Sequence, residues 1–298
     1  DHPGAAFTFL EAATRVPALQ CGEPGPFAQV VGAVDIALWD LCARRAGEPL
    51  WRMLGGDAPE VQVYASGLGP DHPEHLAEQK LAEGHTAVKV KVGFDPDVDR
   101  RNLQALRELL GNDRALMVDA NQRWSVDAAI EAARRFDPFG LAWIEEPIAA
   151  DEPPVAWQRL ARACATPLAA GENLRAHTLA EACASGALRV IQPDAGKWGG
   201  FSGCLEIARA ARQAGMQFCP HWLGGGIGLM AALHLLAASG CDGWGEVDAN
   251  PNALRTRFLP PDFCISGGRV ILSTAPGLGC VPDMETIARY RVPRQSTE

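Results

Sequence analysis

The sequence predicts an α/β protein built around a (β/α)8 barrel of the TIM type. Eight short apolar runs lie between residues 61 and 247, and longer amphipathic segments separate most of them. The repeat is about 25 residues long, which is the length of one strand with its helix. Such alternation is typical of parallel strands joined by helices, and eight of these units close a barrel.

The predicted strands have the length and apolar content of buried parallel strands. In chain order they are VQVYA (61–65), TAVKVKV (86–92), ALMVD (115–119), LAWIE (141–145), PLAAGE (167–172), LRVIQPD (188–194), MQFCP (216–220) and GWGEV (243–247). Helical patterns fill the intervals, and Ser125 is a candidate N-cap for one of them. The barrel is therefore predicted over residues 59–265.

Two segments lie outside this repeat. Residues 1–58 are predicted to be mainly helical, since FAQVVGAVDIALWDLCARRAG carries apolar residues at helical spacing. Residues 266–298 contain GGRVILSTAPGLGCV, which predicts a strand followed by an extended segment rich in proline and glycine. We find no internal repeat beyond the strand–helix unit.

Composition excludes several classes of function. A net charge of −9 and a pI near 5.3 leave no basic stripe for nucleic acid. We see no signal peptide and no apolar run of about 18 residues, so no membrane segment is expected. Nine cysteines without a CxxC pair predict free thiols in a reducing compartment, which favours a cytoplasmic location.

Three carboxylates end consecutive strands of the predicted barrel. Asp119, Glu145 and Glu172 are 26 and 27 residues apart, which is one strand–helix unit in each case. Strand ends of one barrel meet at the same mouth, so these side chains should converge. Each alone would more often be a solvated loop acid. Together they would raise one another's pKa unless a cation intervenes, and oxygen ligands suit Mg²⁺.

Candidate acids and bases flank this predicted metal site. Lys89 and Lys91 are two residues apart and so share one face of their strand. The predicted metal ion and the positive charge of the neighbouring lysine should lower the pKa of each. An edge strand with solvated amines is the alternative, but Val88, Val90 and Val92 alternate with the lysines. Asp194 and His221 end adjacent strands and predict a carboxylate–imidazole dyad, with a core histidine as the alternative.

This arrangement predicts removal of a proton α to a carboxylate. That proton is too weakly acidic for a side chain alone, so Mg²⁺ and neighbouring donors must stabilise the enediolate. Lys89 is expected to neutralise the substrate carboxylate while Lys91 takes the proton. Glu246, if protonated, could donate to an enediolate oxygen.

The ordered set resembles the enolase superfamily, specifically its mandelate racemase subgroup. The resemblance runs from AVDIALWDLCARRAGEPLWRMLGG through the KxK strand to the APGLGC tail. It implies that residues 1–58 are the helical part of a truncated N-terminal α+β capping domain, to which residues 266–298 return. The usual early strands are not expected in the short segment before residue 27.

The resemblance also implies a role for each matching residue. It implies metal ligands at Asp119, Glu145 and Glu172, with Glu145 preferred over Glu146 by its place in WIEEP. It implies that Lys91 is a base with Lys89 as the partner of the substrate carboxylate, and that Asp194 and His221 form an acid/base dyad on the opposite face. It further implies an electrophilic acid at Glu246, a substrate contact at Asn121 and a structural role at Lys197.

The resulting expectation is a Mg²⁺-dependent enzyme that dehydrates an acid sugar, a small carboxylate. A racemase or epimerase of a 2-hydroxy acid needs the same residues and remains an alternative. A third is a truncated, inactive barrel that still binds metal. Because barrels of the resembled family commonly assemble as dimers or octamers, a homo-oligomer is expected.

Overall fold

The computed structural model, which describes residues 2–175 and 177–292, confirms the predicted barrel. Eight parallel strands run in the order β7-β6-β5-β4-β3-β2-β1-β8. They are β1 Glu60–Leu68, β2 Val88–Lys91, β3 Leu116–Asp119, β4 Ile144–Glu145, β5 Leu168–Ala170, β6 Val190–Ile191, β7 Gln217–Phe218 and β8 Trp244–Asp248. Every predicted strand run overlaps one of them, and β1 and β8 extend beyond the predicted limits.

The barrel closes between β7 and β8 without a regular ladder among the described residues. The Phe218 amide donates to the Asp242 carbonyl at 2.9 Å, and the Trp244 amide donates to the Cys219 sulfur at 3.3 Å. On the other side of β8, five residue pairs join it to β1. The sheet is therefore nearly closed, with a seam between β7 and β8.

Side chains that face the barrel interior change from apolar to polar along the strands, except at Gly171 after β5. A buried apolar cluster fills the lower interior: Tyr64, Ala87, Met117, Trp143, Ala169, Val190 and Cys219, with Trp244 packed against it. Successive side chains on a strand alternate faces, so the residue two positions later also faces inward. Those positions hold Ser66, Lys89, Asp119, Glu145, Gly171, Gln192, His221 and Glu246.

Helices follow the strands and cover the outside of the barrel. Those within the barrel region are α4 Pro73–Ala82, α5 Pro96–Leu110, α6 Val126–Phe136, α7 Pro154–Ala163, α8 His177–Ala184, α9 Gly200–Gln213, α10 Gly226–Ser239 and α11 Ala253–Phe258. The predicted N-cap is confirmed, since the Ser125 hydroxyl accepts the Ala128 amide at the start of α6.

The N-terminal part of the chain is helical, as predicted. It consists of α1 Pro3–Cys21, α2 Pro24–Ala46 and α3 Leu50–Met53. Helix α2 packs on α1 and α9, where the buried Asp35 carboxylate accepts hydrogen bonds from the Ser202 amide and hydroxyl. By length and composition α2 could cross a membrane, which the sequence had not led us to expect.

The tail returns over both the barrel and the N-terminal helices. Strand β9 (Arg269–Ile271) pairs antiparallel with the start of β1, and α12 (Met284–Arg289) follows. The Leu278 amide donates to Asp40 on α2, and the Arg44 guanidinium donates to the Cys280 carbonyl. The boundaries 1–58, 59–265 and 266–298 stay a prediction, and residues 1 and 293–298 lie outside the described residues.

All nine cysteines are free, as predicted, and four of them are buried. Burial raises the pKa of the Cys204 thiol well above its ordinary value and that of Cys219 to about 12. These thiols are therefore protonated and pack as small apolar side chains.

Candidate active site

Lys89 lies inside the mouth of the barrel between two carboxylates. Its Nζ is 2.6 Å from Glu145 Oε1 and 2.7 Å from Glu246 Oε1, and all three side chains are at most 1% exposed. Burial alone would lower the pKa of Lys89, but the two carboxylates raise it well above its usual range. This direction is opposite to the lowering expected from a nearby cation, because the carboxylate neighbours outweigh burial.

Lys91, two residues further along β2, is closer to solvent. Its side chain is 23% exposed, and Nζ is 2.5 Å from Asp119 Oδ2 and 2.7 Å from Asn121 Oδ1. Lys91 and Asp119 are also register partners on β2 and β3. The predicted base, metal ligand and substrate contact thus form one hydrogen-bonded group.

His221 follows β7 and is buried between carboxylates. Its Nδ1 is 2.7 Å from Asp194 Oδ2, and its Nε2 is 2.5 Å from Glu172 Oε2. Burial would lower the pKa of His221, but Glu246, Asp194 and Glu172 raise it to about 10. Burial would raise the pKa of Glu172, but the hydrogen bond and charge of His221 bring it far below its usual value. The predicted dyad is present, with Glu172 as a third member.

Glu246, on β8, connects the lysine and histidine groups. Its Oε1 accepts from the Ser66 hydroxyl at 2.5 Å, and its Oε2 accepts from the Trp222 amide at 3.1 Å and lies 3.7 Å from His221 Nε2. Burial would raise the pKa of this carboxyl, but Lys89 and His221 lower it to about 2. In this state Glu246 is ionised, so donating a proton would require a change in its surroundings.

Glu146 lies in the same cluster, although its neighbour Glu145 was the preferred ligand. It is 1% exposed and accepts from Asn173 Nδ2 at 2.8 and 3.0 Å. Its φ of 38° lies in the left-handed region, where non-glycine residues are strained and concentrate at functional sites. Burial and the charge of Glu172 raise the pKa of Glu146 to about 7.

The donor set fits a hard divalent cation. Asp119, Glu145 and Glu172 offer only oxygen atoms, and burial followed by the charge of Asp119 raises the pKa of Glu145 to about 7 despite Lys89. A cation would relieve this excess of buried negative charge. Among the described residues no three potential ligands stand close enough to hold one ion. Each of these carboxylates instead contacts its own cation: Lys91, Lys89 or His221.

Several residues that contact the predicted ones were not predicted from the sequence. These are Tyr64, Ser66, Trp143, Asn173 and Gln192. Ser66 and Gln192 could have been found, because each stands two positions after an inward-facing residue of its strand. Tyr64 and Trp143 resemble ordinary apolar core residues, so the sequence carries no signal for their polar contacts. The predicted structural lysine, Lys197, has its Nζ 3.5 Å from Glu172 Oε1.

The fold and site define a barrel enzyme with lysine, histidine and carboxylate groups at one mouth. Comparisons with known proteins agree with this class. The family model "Enolase C-terminal domain-like" matches residues 73–286. A 3,6-anhydro-alpha-L-galactonate cycloisomerase from Streptomyces coelicolor is 37% identical, and the alignment covers 91% of this chain and 74% of that enzyme.

Solved structures are similar over nearly the whole chain. A mandelate racemase/muconate lactonizing enzyme from Bordetella bronchiseptica RB50 is 50% identical with a TM-score of 0.94, covering 96% of this chain and 80% of that one. An L-talarate dehydratase from Polaromonas sp. JS666, complexed with Mg and L-glucarate, is 31% identical with a TM-score of 0.83, covering 97% and 79%. This chain belongs to the enolase superfamily, within the group that contains the mandelate racemase-like enzymes.

Proposed function

We propose that this enzyme removes the α-proton of a 2-hydroxy carboxylate, and that its reaction is the dehydration of an acid sugar. The observation that carries this proposal is the pair of acid/base groups at the mouth. Lys91 on β2 and His221 after β7 each contact a carboxylate of their own, Asp119 and Asp194. Two such groups allow a proton to leave at one side of the substrate and another to be delivered at the other.

The cofactor is Mg²⁺, and Asp119, Glu145 and Glu172 are its proposed ligands. When bound, Mg²⁺ supplies positive charge that stabilises the substrate oxygens as the α-proton departs. Lys89 adds a second positive charge for the substrate carboxylate. Its ammonium cannot swing away, because Glu145 and Glu246 hold it from two strands.

Lys91 is the proposed base, and Asn121 orients its amine by accepting a hydrogen bond. His221 is the proposed acid that assists departure of the β-hydroxyl, and Asp194 fixes its ring through Nδ1. Glu246 is proposed to interact with the second substrate oxygen, with Ser66 and the Trp222 amide setting its orientation.

The relatives support a sugar acid as substrate. One is named for a galactonate derivative, and one was solved with L-glucarate. Racemisation or epimerisation of a 2-hydroxy acid remains the second candidate, since the same lysine and histidine could exchange protons on opposite faces of one carbon. We further propose a cytoplasmic homo-oligomer, a dimer or an octamer. Exposed apolar side chains on α1 and α2, such as Leu19 and Val30, support self-association.

Proton NMR in D₂O with Mg²⁺ and a panel of sugar acids and other 2-hydroxy acids tests the proposal. Loss of an α-proton signal with a 2-keto product would support dehydration, and loss without product would support the racemase. Lys91→Ala and His221→Asn should each abolish dehydration. Absence of exchange with every acid, in protein shown to bind Mg²⁺, would overturn the proposal and favour the inactive barrel.

A further inference from the structure

Gln192 is a buried polar residue that the proposed chemistry does not use. It follows β6, two positions after the inward-facing Val190, and is 1% exposed. Its Nε2 donates to Glu145 Oε2 at 2.6 Å. Glu145 Oε2 is the acceptor of this bond, so the nitrogen of the amide faces Glu145 and its oxygen points elsewhere.

The two oxygens of Glu145 have different surroundings. Oε2 accepts from Gln192 Nε2, from Trp143 Nε1 at 3.2 Å and from Lys89 Nζ at 2.7 Å. Oε1 accepts from Lys89 Nζ alone, at 2.6 Å, among the described residues. Three donors leave Oε2 little capacity for another partner, whereas Oε1 keeps a free lone pair.

The backbone around Gln192 is fixed by the preceding strand. Its amide donates to the Ala170 carbonyl at 3.0 Å. Gly171 has a φ of 150°, and a Cβ there would lie 2.6 Å from the Gln192 nitrogen. A residue larger than glycine would therefore push β6 away, so the close approach sets where the Gln192 side chain begins.

The side-chain carbonyl of Gln192 makes no hydrogen bond within the described part of the chain that would offset the cost of its burial. Its Oε1 is buried and has no hydrogen-bond partner among the described residues. A buried acceptor without a partner lowers stability, and an apolar side chain of the same size would remove that cost. The presence of glutamine is thus explained by what its N–H group does for Glu145.

We propose that Gln192 is a positioning residue for metal binding. Together with Trp143 it saturates Oε2 of Glu145, which leaves Oε1 as the oxygen available to Mg²⁺. This inference rests on the proposed function, in which Glu145 is a ligand. Gln192 itself need not touch the metal or the substrate.

Gln192→Met separates this role from a merely structural one, because methionine has a similar volume and neither donates nor accepts strongly. Calorimetric titration of the full chain with Mg²⁺ should show a dissociation constant raised about tenfold, as for other groups that orient a metal ligand. The thermal unfolding midpoint of the metal-free protein should change little, because loss of the hydrogen bond to Glu145 is offset by removal of the unpaired carbonyl. Gln217→Met, on the neighbouring strand β7, is the matched control and should leave Mg²⁺ affinity unchanged.

A Gln192→Met protein that binds Mg²⁺ as tightly as the wild type would overturn the inference. Trp143→Phe provides a second test, since it removes the longer of the two neutral hydrogen bonds to Oε2 and should weaken binding less. An equal or larger effect of Trp143→Phe would also count against Gln192. Glu145→Gln tests the proposed ligand set separately from the role of Gln192. If Glu145→Gln binds Mg²⁺ normally, the proposed ligand set is wrong. If Glu145→Gln loses Mg²⁺ affinity but Gln192→Met binds Mg²⁺ normally, only the inference about Gln192 is wrong.

Discussion

Acidification should destabilise this protein through His234, a buried residue of α10 that the proposed chemistry does not use. His234 lies in α10 with no exposed surface, and its Nδ1 accepts the Trp51 amide of α3 at 2.9 Å. Its Nε2 has no partner among the described residues. Burial lowers the pKa of His234 to about 3. The folded state therefore holds this ring neutral.

The sign and size of the effect follow from the two pKa values. An unfolded histidine titrates near pH 6.5, so below that pH the unfolded chain binds a proton that the folded chain refuses. Above about pH 6.5 His234 is neutral in both states and costs no stability. As the pH falls from there toward 3, the folded state becomes progressively less stable relative to the unfolded chain. Each pH unit in this window costs about 1.4 kcal/mol, which amounts to about 2 kcal/mol of unfolding free energy at pH 5.

Urea unfolding at pH 7 and pH 5 measures this cost when wild type and His234→Asn are compared. Asparagine can still accept the Trp51 amide but does not titrate in this range. The wild type should lose about 2 kcal/mol more than the variant between the two pH values. His75→Asn, at an exposed position, is the control and should behave like the wild type. Equal pH dependence in wild type and His234→Asn would refute the reasoning.

Three further predictions concern the mouth of the barrel. Lys89→Met should lower the unfolding free energy by about 3–5 kcal/mol, because the buried carboxylates of Glu145 and Glu246 lose the ammonium group that they share. Adding Glu145→Gln to this variant should recover part of the loss, as measured by urea unfolding. Chelation with EDTA should lower the thermal midpoint, since Mg²⁺ at 100 times its dissociation constant stabilises by about 2.7 kcal/mol, and an unchanged midpoint would contradict the metal site. Ser66→Ala should reduce kcat more than substrate affinity, because it releases one oxygen of Glu246; a change in KM alone would contradict that placement.

The sequence was sufficient for the barrel because each strand is a short apolar run whose neighbours are helical. It was also sufficient for the placement of the predicted site residues at one mouth, since strand ends in a barrel share a side. The ion pairs were not predictable in detail. Lys89 was expected to have a lowered pKa, and only coordinates show that Glu145 and Glu246 enclose it.

Other features depend on contacts between distant segments. Trp143 is an apolar residue by composition, and its hydrogen bond to Glu145 appears only when the ring orientation is known. The first 26 residues gave no pattern for a sheet, and the structure places helix α1 there. Helix α2 is apolar enough to cross a membrane by composition, yet its packing around Asp35 depends on α9, more than 150 residues later.

The seam between β7 and β8 has a consequence for how the mouth moves. Strand β2 is tied to β3 by four register pairs, whereas β7 and β8 are joined by a backbone bond and a weaker bond to sulfur. Regions with few backbone hydrogen bonds open at lower free energy. Amide hydrogens next to His221 should therefore exchange with solvent sooner than those next to Lys91. The proposed base, Lys91, would then lie on a rigid strand, while the segment that carries the proposed acid, His221, could move to fit substrates of different length.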